Sequence, residues 1–218
     1  RQMCIRDSYK DDNFFKPLNK KVFDMNWNLF EKNFYKNFLD MSDDKLLNKI
    51  KKNYDAVCNQ LETQPKVVCH YDYECRNLIF TSSKRAGILD FQDALIGPIG
   101  LDLASLFKDL YYEWSEERIH SWYKSYISKV KKKFDLELSF ESLVKFIDFA
   151  SIQSQIRILG KLSQVYQQLN REERIKDFPR LINYLVETSS RYTELENLSL
   201  AISSLQGPLN KKMERIFS

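Results

Sequence analysis

Glycine is scarce in this chain: five residues in 218, with none before Gly87. A glycine-rich loop folded over phosphates is therefore excluded upstream of that point. Neither a G-x-G-x-x-G nor a V-A-I-K-like strand precedes His70. Histidine is scarcer still, at two, and the four cysteines (Cys4, Cys58, Cys69 and Cys75) form no C-x-x-C pair. That inventory gives no expectation of a zinc site. No apolar run approaches membrane-spanning length and no signal-peptide pattern is visible. No membrane partner is expected, and a reducing cytoplasm is the default compartment. A large net charge of either sign is missing too. Lys plus Arg number 34 against 30 for Asp plus Glu, an excess compatible with an anionic nucleotide or sugar acid and too small to argue for nucleic acid.

What is present is apolar material for one sizeable core, 43% of the residues. The chain is organised around residues 67–109. Short apolar runs at 67–69 and 78–80 flank a polar loop, and a third run, 86–89, ends on Asp90. These runs are expected as strands of a small β-hairpin sheet that carries the loop. Within the stretch sit His70, Asp72, Asn77 and Asp90, in the order H-x-D-x-x-x-x-N and then D-F, with Gln92 where a D-F-G segment has glycine.

That order suits phosphoryl transfer. The reaction needs a carboxylate to orient the attacking hydroxyl and accept its proton, and oxygen ligands for magnesium on the phosphates. Asp72 takes the first role in this reading. Asn77 and Asp90 take the second, as hard oxygen donors suited to Mg2+. H-x-D-x-x-x-x-N recurs by chance in many proteins. The flanking apolar runs and the one ending in Asp90-Phe91 are what make it specific here.

The motif and the segment after it carry a resemblance. HYDYECRN, followed by ILDFQDALIGPIGLDLASLFKDLYYEW, resembles the aminoglycoside-phosphotransferase and choline-kinase superfamily. Within it, the wording is similar to the bacterial sugar kinases that phosphorylate N-acetylmuramate and N-acetylglucosamine at the anomeric hydroxyl. Gln92, Gly97, Pro98, Asp102, Leu103, Ser105, Leu106, Asp109, Tyr111 and Trp114 fit that pattern, and the likeness continues in SIQSQIRILGKL and DFPRLINYL. It extends from about Asp24 to Leu200.

The resemblance implies the C-terminal lobe of a protein-kinase-like fold, α+β and mostly α-helical. It implies ATP and Mg2+ as cofactors, a small amino sugar as acceptor, and an N-terminal phosphate-covering lobe missing from this stretch. It also implies that His70 and Asp102 brace the catalytic loop, although a carboxylate in the first turn of a helix is favoured there by the dipole in any case. Arg76 and Asp93 are candidates for contact with substrate or phosphates, or are structural ion pairs. Tyr71 stands where the sugar kinases have a basic residue, and Glu74-Cys75 stand where they often have H-S. Ser154-Gln155 follow Gln153 where those kinases have a Gln-Arg-His patch. These departures bear on the substrate more than on the chemistry. Asp148, Gln153, Gln155 and Arg157 are read either as part of such a patch or as solvent-facing positions. Two readings compete with the sugar kinase: a kinase of another alcohol (choline, an aminoglycoside, another sugar), and a non-catalytic half-domain with an exposed aromatic patch.

Along the chain, Phe23, Trp27, Phe30, Phe34 and Phe38 recur at helical spacing, which predicts a helix within 14–39 with a wide apolar stripe. Ser42 is expected to cap a helix that reaches about Glu62 and stops before Pro65. Residues 91–100 are expected as a loop, turned by Gly97-Pro98. Helices are expected from near Leu101, from Ser115 to about Lys133, and from Ser139 to Leu169, the last bent at Gly160. Asp177 is expected to cap a helix to about Tyr192. Another runs from Glu194 to about Leu205, where Gly207-Pro208 ends it. Residues 1–8, RQMCIRDS, are read as a non-native segment, 9–208 as the phosphotransferase lobe, and 209–218 as a basic, fraying tail. His120 is read as a boundary histidine, Cys69 as a packed thiol and Cys75 as an accessible one.

Overall fold

A computed structural model describes residues 15–80 and 86–218. The segment 1–8 singled out above lies outside the described residues. In chain order the elements are α1 (Lys20–Leu29), a π-helical continuation (Phe30–Phe38), α2 (Asp44–Thr63), β1 (Lys66–Cys69), β2 (Leu78–Phe80), β3 (Ala86–Ile88) and β4 (Leu95–Pro98). Further helices complete the order: α3 (Leu101–Phe107), α4 (Glu116–Phe134), α5 (Phe140–Leu169), α6 (Phe178–Ser190), α7 (Glu196–Ser203) and, last, α8 (Gln206–Phe217). The fold is α+β and mostly α-helical.

The aromatic stripe becomes one column of rings. Trp27, Phe30, Phe34 and Phe38 stack along the first helix with centroids 5.4, 5.3 and 6.0 Å apart. Phe34 and Phe38 meet the edge of Phe178 in α6. All four rings of the column are buried, so the exposed aromatic patch required by the half-domain reading does not form from them. The helix lies against α5, and Gly160 is what lets it approach. A Cβ there would sit 2.4 Å from the Phe30 nitrogen and 2.5 Å from the Leu29 carbonyl carbon, where the α-helix passes into the π-helical turn. Close approach, rather than the expected bend, is the visible use of this glycine.

α5 is the axis of the molecule, touched by α1, the π-helical segment, α2, α3, α4 and α6. Enclosure on every side explains a departure from expectation. Asp148, Gln153, Gln155 and Arg157 are buried, not solvent-facing. Asp148 accepts from the Tyr192 hydroxyl at 2.9 Å and faces Arg191.

Four local expectations are corrected. Asp43, not Ser42, caps α2: its carboxylate accepts from the Lys45 and Leu46 N–H groups at 3.0 Å. Residues 95–98 form β4 inside the expected loop, because pairing with β1 outweighs the turn chemistry of Gly97-Pro98. Pro98 falls opposite Lys66 at the end of the ladder, and Gly97 leaves room for Cys69 and Leu101. The strands make two separate antiparallel pairs, β1–β4 and β2–β3, rather than one hairpin sheet, and the loop after Cys69 bridges them. Finally, Gly207-Pro208 open a further helix, α8, and the tail expected to fray is helical to Phe217. A proline in the first turn gives up only an N–H that the helix leaves unpaired anyway, and Leu209 anchors α8 in the core.

The strand region is tied to the helical axis by Gln64, at the end of α2. Its amide donates to the Phe146 carbonyl at 3.1 Å and accepts from the Gly100 N–H at 3.3 Å. Gly100 in turn sits so close to the α5 backbone that a Cβ would lie 2.4 Å from the Phe146 oxygen.

Candidate active site

Residues 70–77 connect β1 to β2. The backbone turns at Tyr71, whose φ of 76° is costly for an aromatic residue and needs outside support. Asp102, in the first turn of α3, supplies that support. One carboxylate oxygen accepts from the His70 N–H at 2.6 Å and the other from the Tyr71 N–H at 3.0 Å. Burial pushes the Asp102 carboxyl above its ordinary range, while these two donors pull the other way.

His70 sits beneath the loop. Its Nε2 lies 2.7 Å from the Leu89 carbonyl, which can only accept, so Nε2 carries the proton. The Leu89 N–H donates to the Asn77 carbonyl at 2.9 Å. Leu89 is thus gripped from both ends of the loop, and this sets Asp90, the next residue, beside it. Asp90 itself has a left-handed backbone, φ 58°, and opens a short 3-10 turn at Phe91–Asp93.

The Asn77 side-chain amide donates to the Asp72 carbonyl at 2.8 Å, which points its oxygen the other way. Neither that oxygen nor the Asp90 carboxylate has a partner among the described residues. No group of three or more His, Cys, Asp or Glu that could hold a metal occurs among those residues. Two hard oxygen donors fit magnesium, which keeps waters and phosphate oxygens as most of its ligands, and do not fit zinc.

The Asp72 side chain meets two cations from α5. Arg157 donates to it at 2.9 Å and Lys161 lies 3.8 Å from its other oxygen. Arg157 also donates to the Tyr71 carbonyl at 3.3 Å and stacks on the Tyr71 ring at 4.3 Å. Burial works against the Arg157 charge, but Tyr71, Asp72 and Glu74 more than restore it.

A cavity of about 320 Å³ opens beside Asp72, between the loop, α3 and the C-terminal half of α5. Arg76 is on its wall and is at the same time ion-paired with Glu74. Its guanidinium lies 4.2 Å over the Tyr111 ring, and Arg174 donates to the Tyr111 hydroxyl at 3.2 Å. Buried Asp109 fixes this wall to the loop, accepting from the Cys75 and Tyr111 N–H groups, each at 2.7 Å. Asp93 is exposed and does not line the cavity. Cys75 is half-buried, and burial with the nearby Asp109 pushes its thiol up to about 11, which removes it as a nucleophile at neutral pH. His120 is exposed and packs its ring on Phe140, far in sequence from the loop.

Gln155 lines the cavity while 2% exposed, and neither atom of its amide has a hydrogen-bond partner. Leaving such a group unsatisfied costs about 1–3 kcal/mol. Sequence reasoning does not single out Arg157, Lys161, Asp109 or Gln155 as catalytic or metal-holding. For the two cations of α5 a signal exists: Ser154, Arg157, Ile158, Lys161 and Val165 share helical spacing and therefore one face of α5.

The profile of the phosphotransferase enzyme family matches residues 24–132, half of the chain. A protein of Neisseria meningitidis serogroup B named N-acetylmuramate/N-acetylglucosamine kinase is 34% identical over 154 residues, covering 70% of this chain and 46% of that protein. Proteins of the same name from Pseudomonas putida and Pseudomonas aeruginosa are each 32% identical, covering 66% and 69% of this chain and 42% and 45% of their own. The chain therefore spans less than half the length of these curated relatives.

Proposed function

The chain belongs to the phosphotransferase enzyme family, and from that premise we propose that it carries the catalytic loop of an ATP-dependent amino-sugar kinase. The acceptor in this reading is the anomeric hydroxyl of N-acetylmuramate or N-acetylglucosamine, as the relatives' names suggest. The observation that carries it is the Asp72 carboxylate on the edge of a cavity of about 320 Å³, at the small end of ligand-sized sites.

In the reaction, Asp72 orients the acceptor hydroxyl and takes its proton as the new O–P bond forms and the bond from the γ-phosphorus to the bridging oxygen breaks, releasing ADP. An anomeric hydroxyl is more acidic than an ordinary alcohol, so a modest base suffices. Arg157 and Lys161 hold the carboxylate in place. Asn77 and Asp90 would hold Mg2+ through oxygen, and ATP with that ion supplies the phosphoryl group and neutralises its charge. His70 and Asp102 keep the loop in its strained path. The nucleotide's other wall would come from a covering lobe outside this chain, and a cytoplasmic supply of ATP places the reaction in the cytoplasm. A polycationic aminoglycoside is a poor fit as acceptor, because cations outnumber carboxylates on the cavity wall.

The test uses the full-length protein with ATP, magnesium and N-acetylmuramate, observed by phosphorus NMR. A sugar 1-phosphate resonance is expected, and it should vanish with Asp72→Asn. ATP binding without transfer to either sugar would keep the kinase and sink the sugar assignment. Absence of ATP binding would sink both.

A further inference from the structure

The cavity beside Asp72 has more charge of one sign than catalysis at Asp72 uses. Six cationic side chains line it, Arg76, Lys108, Arg157, Lys161, Arg171 and Arg174, against two carboxylates, Asp72 and Glu74. Pairing accounts for part of this. Arg157 and Lys161 face Asp72, and Arg76 faces Glu74. Arg171 and Arg174 have no carboxylate partner among the described residues, and Lys108 makes no ion pair within 4 Å, although Asp148, Glu187 and Glu116 offset part of its charge from further off. Lys108 is largely desolvated, and burial pulls its ammonium below the usual lysine range. Uncompensated cations around one concave site raise the local concentration of anions and favour an anionic occupant.

A second observation points to a ligand in the same place. The Gln155 amide is buried on the cavity wall with both its donor and its acceptor unused. The buried Nε of Arg157, two residues further along α5, is unused as well. Native proteins rarely bury such groups without a partner, and an occupant of the cavity on whose wall Gln155 lies, or a water, would supply one. The apolar part of the wall, Ala104, Leu110, Ile158 and Leu162, suits the carbon skeleton of a small molecule.

We propose that this cavity is an acceptor subsite for an amino sugar that carries a carboxylate, with Arg171 and Arg174 receiving the carboxylate and the Gln155 amide bonding an uncharged polar group of the same molecule. The inference rests on the kinase reading for the identity of Asp72, and it deepens that reading by separating two acceptors the relatives' names join. Acidic N-acetylmuramate is the fitted occupant. Neutral N-acetylglucosamine fills the ring space and leaves the arginines unpaired.

The experiment is calorimetric titration of the full-length protein with each sugar, in the wild type, in Arg171→Gln/Arg174→Gln and in Gln155→Leu. The acid is expected to bind about tenfold more tightly than the neutral sugar, the scale of one added charge-assisted bond. Its advantage should shrink with added NaCl, whereas the affinity of the neutral sugar should not change. The double arginine substitution should bring the ratio close to one, and Gln155→Leu should weaken both sugars. Arg171 is exposed and Arg174 partly so, and Arg171→Gln alone serves as a milder second variant. Equal affinities, a preference insensitive to salt, or a preference that survives the arginine substitutions would overturn the proposal. Binding is read without turnover, so loss of the phosphorus signal alone tests the kinase reading and leaves this one to stand or fall by the ratio.

Discussion

Arg157 reaches Asp72 from 85 residues further along the chain and donates to its carboxylate at 2.9 Å. The family match ends at residue 132, so the candidate base is held from outside the matched region. The arginine is almost wholly buried and the carboxylate about a third exposed, 7% against 32% for the side chains. The pair therefore fixes one oxygen of Asp72, Lys161 lies at the other, and about a third of the side chain stays open to solvent or substrate.

Arg157→Ala should release that carboxylate. Misplacement of a base by an ångström costs about a hundredfold in rate, so kcat should fall by about that factor. Stability should fall by about 2 kcal/mol with the loss of a charge-assisted hydrogen bond. Arg157→Lys keeps the charge without the planar guanidinium, one nitrogen of which serves both Asp72 and the Tyr71 carbonyl, and should fall between the wild type and the alanine variant. Steady-state kinetics with a urea titration separate the effects. A kcat unchanged in the alanine variant would remove Arg157 from any positioning role.

Two glycines make contrasting predictions. At Gly160 an added methyl meets the backbone of Leu29 and Phe30, which cannot swing aside as a side chain would. Gly160→Ala should destabilise by about 1–3 kcal/mol, seen as a lower urea midpoint at unchanged slope. Gly207 lies in the first turn of α8, and a methyl added there would meet nothing within 4 Å outside its own stretch of helix. Gly207→Ala should change stability by less than about 0.5 kcal/mol, because the helix propensity of alanine is offset by the crowding of a Cβ against the ring of the following Pro208. Equal effects at the two positions would mean that α5 packs against the first helix more loosely than these distances imply.

The legible part of the sequence is the part where chemistry and spacing coincide in one short segment. His70, Asp72 and Asn77 stand out because they share the loop between β1 and β2, and Asp90 because it ends the run that pairs back on β2. Helical periodicity likewise marks the aromatic column from Trp27 to Phe38. Arg157 and Gln155 do not stand out, because a polar residue on a helix is read as solvent-facing until its surroundings are known. Their burial comes from six elements closing around α5, a tertiary fact with no local signature. Gly97-Pro98 misleads for a related reason. Turn propensity is local, whereas the pairing of β4 with β1 is settled by residues some thirty positions away.

Asp102 gives the pH prediction. Burial raises its folded value above the ordinary 3.8, against the pull of the His70 and Tyr71 N–H groups. At neutral pH it is ionised in both folded and unfolded chains, and its desolvation weighs against the fold. As pH falls through the raised value, the folded chain takes up a proton that the unfolded chain does not yet bind, so this one group makes the fold more stable. Below 3.8 both states are protonated and the contribution stops changing. The same proton weakens the acceptor that holds the strained turn at Tyr71. Global stability and loop order should therefore diverge in that window: amide exchange at His70 and Tyr71, corrected for its intrinsic pH dependence, should accelerate while Asp102's own contribution to stability rises. Carbon NMR of the Asp102 carboxyl sets the midpoint, and Asp102→Asn should abolish the step in exchange. Exchange at those two amides that ignores the Asp102 titration would show that the turn is held by something other than this carboxylate.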